Sequence, residues 1–343
     1  MSANKSNFSR LSKGRNLQLG LTLVELLVAL LISTVIAIAA VAALTVSRQG
    51  FTTVDAASKL RDDARFATEM LQRFGVQAGF NDVQDASTAW PKTALGYPVG
   101  NPVPSISGFN NALISETDPE NSSTARTGTA TLGFGSDILI MRYQVAATFP
   151  NSGKADRSMI DCYGVPNPDT DLPFKPGDRQ ANIIFVGVDA DGEPGLRCKT
   201  SKVTTLSQPL VSGVENFQVL YGVDGVTANT EATATKTNVV TNYLRADEIL
   251  VTVDPTGEKT SSNWRRVRSI KIGMIIRGAV GSAQSSTTQT YYPFGRAVSA
   301  SGGTPGSALS SASDPGTIFT PAADGRLRQV VTFTIHLRNE QGL

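Results

Sequence analysis

The amino-acid sequence predicts an α+β protein in which one long N-terminal helix packs on a mainly antiparallel β-sheet domain with long loops. Three observations support this fold class. Residues 21–46 are almost entirely apolar, residues 47–79 carry an apolar stripe at helical spacing, and the chain beyond residue 80 contains β-branched runs separated by Gly, Pro, Asp and Asn. Long apolar or 3.6-periodic segments indicate helix, whereas short β-branched runs bounded by turn residues indicate strands.

The apolar run from Leu21 to Val46 is long enough to cross a membrane as a helix. Its 26 residues include one ionisable side chain, Glu25, and at about 1.5 Å per residue they cover a hydrocarbon core of roughly 30 Å. A carboxylate at mid-bilayer costs about 2.5–3.5 kcal/mol on insertion scales. We therefore predict that residues 21–46 span the membrane and that Glu25 has a specific partner or task.

The first 20 residues form a basic leader. They contain no acid and four basic side chains, Lys5, Arg10, Lys13 and Arg15. The positive-inside bias places this leader in the cytoplasm, so we expect a single-pass inner-membrane protein whose globular domain, residues 80–343, is periplasmic. Without the leader the net charge of +2 becomes about −2, so bulk charge gives no support for nucleic-acid binding.

The junction between leader and helix resembles the type III (prepilin) signal of type IV pilins and type II secretion pseudopilins. The resemblance consists of the basic leader, Gly20 at the junction, an apolar segment beginning at Leu21, and Glu25 five residues into that segment. It implies that a prepilin peptidase cuts between Gly20 and Leu21 and that the new terminus at Leu21 is N-methylated. The family usually has Phe where this chain has Leu21.

Two other interpretations of the N-terminus remain open. The first is an ordinary secretory signal, since Ala37-Ile-Ala39 and Ala40-Val-Ala42 are sequences of the small-residue cleavage type. The second is a plain signal anchor in which Gly20 and Glu25 have no special role. An ordinary signal has an apolar region of only 7–15 residues, which favours the prepilin interpretation.

Residues 47–79 continue the helix with amphipathic character. Their apolar residues recur at spacings of three and four: Val54, Ala57, Leu60, Ala64, Ala67, Leu71, Phe74 and Ala78. We expect this stripe to pack on a sheet, the alternative being a separate coiled-coil stalk. Gly75 and Gly79 are candidate stop signals for the helix.

The remainder of the chain is predicted to consist of strands and long loops. Residues 81–126 are loop-rich because they contain several Pro and many Gly, Asn and Ser, and they are predicted to form a surface excursion. Residues 280–325 are loop-rich because they are low in apolar residues and rich in Ser, Gly, Thr and Ala, and they are predicted to form a flexible loop. Six runs read as strands: 137–145, 182–188, 217–223, 248–253, 267–276 and 329–338. Since no long helical pattern separates them, we expect antiparallel pairing.

Three segments extend the resemblance to a particular family. Val211–Asp224, the strand after Trp264 and Arg326–Asn339 look like the PilW family of type IV pilus minor pilins. This resemblance implies a low-abundance subunit that assembles with other minor and major pilins and contacts membrane lipid and the prepilin peptidase. A J-like type II secretion pseudopilin is the alternative, because it shares several of these features.

The two cysteines predict a disulfide. In an exported domain an even pair, Cys162 and Cys198, indicates a bridge that closes a loop of about 36 residues. We expect this bridge to stabilise the domain.

Candidate ligand-binding residues are few. Asp189, Asp191 and Glu193 alternate around a Gly like the start of a calcium loop, but the bidentate acid expected at position 12 is Thr200, so a hairpin turn is favoured. Trp264–Lys271 is a basic strand that either contacts DNA phosphates weakly or is a charge-protected sheet edge. The single histidine, His336, is expected to be structural or at the surface.

These patterns favour assembly over catalysis. With one histidine and no convergent set of acids or nucleophiles, no enzyme, cofactor or small-molecule substrate is predicted. We expect a pilus subunit that helps to prime or cap the fibre, with motility, adhesion or DNA uptake as its uses. The alternative from a different class is a membrane-anchored module that binds DNA or another ligand.

Overall fold

The computed structural model describes residues 22–81, 102–129, 131–149, 152, 154–164, 179–201, 207–233, 235–283, 287–297 and 305–339. The predicted leader, Gly20 and Leu21 lie outside these residues. The chain divides into two compact units, one ending at Thr52 and the other beginning at Thr53.

The N-terminal helix α1 extends over Leu23–Gln77, so it begins in the first unit and ends in the second. In the second unit its buried side chains recur at spacings of three and four, and Leu60, Ala64, Ala67, Leu71 and Phe74 are all at most 5% exposed. This is the stripe that the sequence predicts, and it packs on the sheets rather than forming a separate stalk.

The end of α1 is held by residues distant in the sequence. Gly79 adopts a left-handed φ of 73°, a conformation that commonly terminates helices because Gly has no Cβ to clash. The Asn339 side chain donates hydrogen bonds to the carbonyls of Val76 and Ala78, both at 3.0 Å. Gly79 N–H in turn donates to the Arg142 carbonyl at 2.8 Å, which attaches the helix end to the first sheet.

Two antiparallel sheets form the body of the second unit. The first has five strands in the order β1-β4-β5-β6-β7, and the second has four in the order β13-β10-β8-β9. Two small two-stranded sheets pair β2 with β3 and β11 with β12. The strands are β1 Ile106–Phe109, β2 Ala112–Ile114, β3 Ser123–Ala125, β4 Ile138–Tyr143, β5 Gln180–Val188, β6 Pro194–Thr200, β7 Gln208–Ser212, β8 Val214–Val223, β9 Asn242–Leu244, β10 Val267–Arg277, β11 Arg296–Ala297, β12 Gly306–Ser307 and β13 Arg328–His336.

One hydrophobic core joins α1 to both sheets. Leu71 and Phe74 of the helix belong to the same buried cluster as Ile184 of β5, Phe217 of β8 and Ile272 of β10. A smaller cluster, which includes Ile138, Ile183 and Phe185, covers the other face of the first sheet. Side chains on both faces of β4 are therefore buried, which is why its six residues read as a continuous apolar run.

The strand predicted over residues 248–253 is wrong. The chain forms a short helix α2, Ala246–Ile249, and a second helix α3, Glu258–Trp264. Glu248 accepts the Arg245 N–H at 3.0 Å, and Asn263 donates to the Ile249 carbonyl at 2.9 Å. These two bonds satisfy backbone groups of the helical turn. The strand preference of the β-branched residues is therefore overridden by contacts with the surrounding structure.

The segment 81–126 contains more structure than the predicted surface loop. Its strand β1 pairs with β4 over four residues, and Arg126 is buried, donating to the carbonyls of Ala112, Ser136 and Val186. Burial lowers the pKa of Arg126 to about 10, against the opposing effect of Asp137. Because three carbonyl oxygens accept hydrogen bonds from its guanidinium, the cost of burying the Arg126 charge is partly offset.

The second predicted loop, 280–325, also packs on the protein where it is described. Phe294 and Thr317 are buried, and the Pro293 carbonyl accepts a hydrogen bond from the Thr332 hydroxyl of β13 at 2.6 Å. Its described part contains two short strands, β11 and β12, and rests against the four-stranded sheet.

Candidate assembly site

Glu25 lies in the first turn of α1, where its carboxylate closes a reciprocal cap with Thr22. Glu25 Oε2 accepts the Thr22 backbone N–H at 2.9 Å and the Thr22 hydroxyl at 3.0 Å, while Glu25 N–H donates to the Thr22 hydroxyl at 3.3 Å. No described residue bonds to Glu25 Oε1. A negative side chain in the first turn also interacts favourably with the helix dipole.

The capping role of Thr22 is a feature that the sequence interpretation missed. The signal was present as Thr22-Leu-Val-Glu25, the T-x-x-E pattern of a capping box. The structure therefore gives Glu25 a local partner within its own chain, in addition to any partner outside it. Any test of Glu25 must separate these two roles.

The N-terminal part of α1 presents its apolar side chains outward. From Leu23 to Val46 all large apolar residues are exposed, from 51% for Ile32 to 74% for Leu23. Among the described helices α1 is the one whose length and composition would allow it to cross a membrane. Exposure of this much apolar surface is typical of a segment that contacts lipid or other helices.

The disulfide predicted from the two cysteines is confirmed. Cys162 and Cys198 are bonded, with Cα atoms 6.2 Å apart, and both residues are at most 4% exposed. Cys198 belongs to β6, and Cys162 N–H donates to the Asn182 side chain of β5 at 3.1 Å. The bridge thus attaches the irregular segment 154–164 to the centre of the five-stranded sheet.

The calcium candidates lie in the hairpin between β5 and β6. Asp189 accepts the backbone N–H groups of Asp191 and Glu193 at 3.2 and 2.9 Å, and the Glu193 carboxylate bonds to two arginines described below. Across the described ranges no group of three or more His, Cys, Asp or Glu side chains could hold a metal ion. The hairpin turn is the arrangement the structure shows.

The basic segment Trp264–Lys271 is not a sheet edge, because β10 lies between β13 and β8. Two of its arginines are buried and bond to backbone carbonyls within the domain. Arg266 is 6% exposed and donates to the carbonyls of Thr233 and Thr235, and Arg268 is 4% exposed and donates to the Arg265 carbonyl. These two side chains are thus withdrawn from the surface that phosphates would contact.

The single histidine, His336, lies at the surface, because it is exposed at the end of β13.

A cluster of three acids and three arginines joins the two sheets, and the sequence interpretation did not foresee it. Glu193 bonds to Arg277 and Arg326, both at 2.8 Å; Glu215 bonds to Arg277 at 2.9 Å and Arg328 at 2.6 Å; Asp324 bonds to Arg328 at 2.7 Å. We call these six residues the acid–arginine cluster. Its charges balance, which allows Glu215 to be buried to 3% side-chain exposure.

Two acids of this cluster, Glu193 and Asp324, have lowered pKa values. Burial acts to raise the pKa of Glu193, but hydrogen bonds from Arg277 and Arg326 outweigh it, and its pKa lies below the ordinary value. Burial likewise opposes ionisation of Asp324, whose pKa is nevertheless lowered by its bonds to Arg328. The cluster therefore contributes to stability where these acids are charged.

Comparison with known protein families gives two matches on this chain. A model described as the type IV pilus-assembly protein W family matches residues 183–339, which include the acid–arginine cluster and all four strands of the second sheet. A model of the prokaryotic N-terminal methylation motif matches residues 15–41, which include Gly20, Leu21 and Glu25. No curated protein and no solved structure shows a significant match.

Proposed function

We propose that this chain, a PilW-type pilin-like protein whose N-terminal helix is long and apolar enough to cross a membrane, is a minor subunit of the type IV pilus. It would enter the fibre after cleavage of its leader and help to prime or cap assembly with other pilins. The observation that carries this proposal is the presence in one chain of the methylation motif and the pilus-assembly match, joined by an outward-facing apolar helix. The role is structural, and motility, adhesion or DNA uptake would be its consequences.

The first step of the proposal is processing at the cytoplasmic face. Peptidase cleavage between Gly20 and Leu21 would remove the basic leader, and methylation would follow at Leu21. The globular domain would lie in the periplasm until the subunit leaves the membrane. Replacing Gly20 by a bulky residue should leave the leader attached, as the N-terminal mass of membrane-extracted protein would show.

The second step is registration of the subunit in the fibre by Glu25. Cleavage leaves a positive amine on Leu21, and the Glu25 carboxylate of one subunit would pair with the amine of another. Glu25 Oε2 is occupied by Thr22 while Oε1 has no bond from the described residues, so one oxygen can receive an amine without loss of the cap. An unpaired carboxylate is costly in a low-dielectric surrounding, which favours the paired register.

Substitutions at Thr22 and Glu25 separate charge pairing from helix capping. Glu25→Gln keeps the capping geometry, since Gln serves in capping boxes, but removes the charge. Glu25→Ala removes the charge and the side-chain half of the cap. Thr22→Ala removes the hydroxyl part of the cap, retains the backbone N–H bond to Glu25 and keeps the charge. We expect both Glu25 variants to be inserted and cleaved yet absent from sheared pili, and Thr22→Ala to be incorporated.

The outcome of Glu25→Gln decides the mechanism. Incorporation of this variant at the wild-type level would show that Glu25 acts only as a helix cap, and pairing with the amine would have to be abandoned.

Deletion of the whole gene tests the proposed function itself. Loss of surface pili is expected, whereas intact pili with a defect in protein secretion would instead favour a pseudopilus subunit.

A further inference from the structure

Strand β13 is an edge strand with an unused row of backbone groups. It pairs with β10 over nine residues without a register shift, from Ser269↔His336 to Arg277↔Arg328. Leu337 N–H donates to the Arg268 carbonyl and Gly278 N–H to the Leu327 carbonyl. In an antiparallel ladder these bonds direct the odd-numbered residues of β13 to β10 and the even-numbered ones outward. Within the described residues no backbone group bonds to the outward groups of Val330, Thr332, Thr334 and His336.

The usual protection of an exposed edge is missing from β13. Natural sheets block edges with Pro, Lys, inward charges, bulges or very short strands. Residues 329–335 of β13 read Gln-Val-Val-Thr-Phe-Thr-Ile and contain none of these residues. The other described edges are protected, since β7 contains Pro209 and faces a register shift, and β1 and β9 have four and three residues.

The edge also constrains the chemistry of a partner. At about 3.3 Å per residue, nine residues offer roughly 30 Å of pairing surface, and its uncharged, β-branched character suits a strand of the same kind. Arg326 and Arg328 at one end are neutralised by the acid–arginine cluster. Arg338 at the other end is exposed and makes no ion pair with a described residue.

The exposed Arg338, which forms no ion pair with a described residue, argues against self-pairing and for an acidic partner. If two copies of β13 paired antiparallel about Thr332, Arg338 of one copy would face Arg326 of the other, which is already paired within the acid–arginine cluster, so Arg338 would gain no opposite charge. A strand of another subunit that carries a carboxylate at this end would instead complement Arg338. Its main-chain bonds would provide affinity and the carboxylate would set direction.

We propose that the outer edge of β13 docks an extended strand of a different pilin subunit, with a carboxylate of that strand paired to Arg338. The inference rests on the proposed function, because it requires the chain to be part of a pilin assembly. It adds a sheet-mediated contact between globular domains to the helix-mediated contact through Glu25. Strand β13 contacts the C-terminal end of α1, because Ile335 packs against Gly75 and Asn339, just after the strand, bonds to the Val76 carbonyl. A strand docked on β13 would therefore lie next to the C-terminal end of α1.

Proline at Thr334 tests this contact in the full-length chain. Thr334 N–H points outward and is not used by β10, so Thr334→Pro removes one docking donor and spares the internal ladder. We expect at least tenfold less of this variant in sheared pili, with an unchanged amount and an intact Cys162–Cys198 bridge in the membrane. Thr334→Ala, which keeps the donor, should be incorporated like the wild type.

A second measurement does not depend on the stability of the proline variant. A benzophenone amino acid placed at Val330, which is 36% exposed, should cross-link in piliated cells to an acid-bearing strand of another pilin. Cross-links only within the same kind of chain, or none, would overturn the inference, as would normal incorporation of Thr334→Pro. Absence of the wild-type chain from sheared pili would refute the proposed function itself, so the two failures are distinguishable.

Discussion

At the scale of single residues, Gly75 shows how closely α1 approaches the second sheet. It lies in the helix and faces Ile335 of β13, whose side chain occupies the space that a Cβ would need. Although Gly is a poor helix former, it is kept here because any larger residue would overlap the core. Gly50 in the same helix has no neighbouring atom within 4 Å of a Cβ position, so it provides a natural control.

We therefore expect opposite effects from alanine at these two glycines. Gly75→Ala should destabilise the domain by about 1–3 kcal/mol, the usual cost of overpacking, whereas Gly50→Ala should be neutral or stabilise the helix by up to about 1 kcal/mol. Urea unfolding of the full chain in detergent, followed by tryptophan fluorescence, measures both changes. Equal effects would mean that Ile335 yields readily and that the contact is loose.

At the scale of elements, the disulfide fixes an irregular segment that has little secondary structure of its own. Residues 154–164 contain no strand longer than a single bridge, and Cys162 attaches them to Cys198 in a central strand of the first sheet. The bridge spans 36 residues of sequence. In the chain-entropy model such a loop closure restricts the unfolded state strongly.

Removing the bridge should lower stability without changing the helix. The double variant Cys162→Ser, Cys198→Ser is expected to lose about 2–4 kcal/mol in urea unfolding, and each single variant should lose at least as much. Alkylation of the unreduced protein checks the premise, since labelling of both thiols in the wild type would contradict the bridge.

At the scale of the whole molecule, the acid–arginine cluster connects the β5–β6 hairpin of one sheet to β8, β10 and β13 of the other. Two of its acids, Glu193 and Asp324, have lower pKa values in the folded chain than the roughly 4 expected when unfolded. Acids of this kind stabilise the folded state above the unfolded pKa, and the stabilisation is lost as the pH falls through the folded value.

Stability should therefore decline as the pH falls from about 5 towards 2, and Glu193→Gln should flatten this decline. Glu69→Gln makes the same chemical change on the helix surface, where the pair with Arg65 is 3.9 Å long and well exposed, and it should leave the profile unaltered. Unfolding midpoints measured across this pH range test the difference. An identical profile for wild type and Glu193→Gln would exclude a role for the cluster in acid stability.

The sequence predicted those features that depend on local pattern. Helical periodicity identified the buried face of α1 through Leu60, Leu71 and Phe74, and β-branched runs identified five of the six proposed strands. It failed at residues 248–253, where the hydrogen bond from Asn263 stabilises a helical turn. It also took the arginines near β10 for a surface charge, although Arg266 and Arg268 are buried against carbonyls.

The sequence by itself determined the long apolar segment at the N-terminus, the single acid within it, the cysteine pair and the mixture of one long helix with antiparallel strands. Each of these depends on composition or on spacing along the chain, which folding does not alter. Only the tertiary structure decided that β10 is central and β13 an open edge, and that six charged residues from separate strands and loops neutralise one another. Strand order and ion pairing between the strands are set by contacts between distant residues, and a single sequence carries no local signal for them.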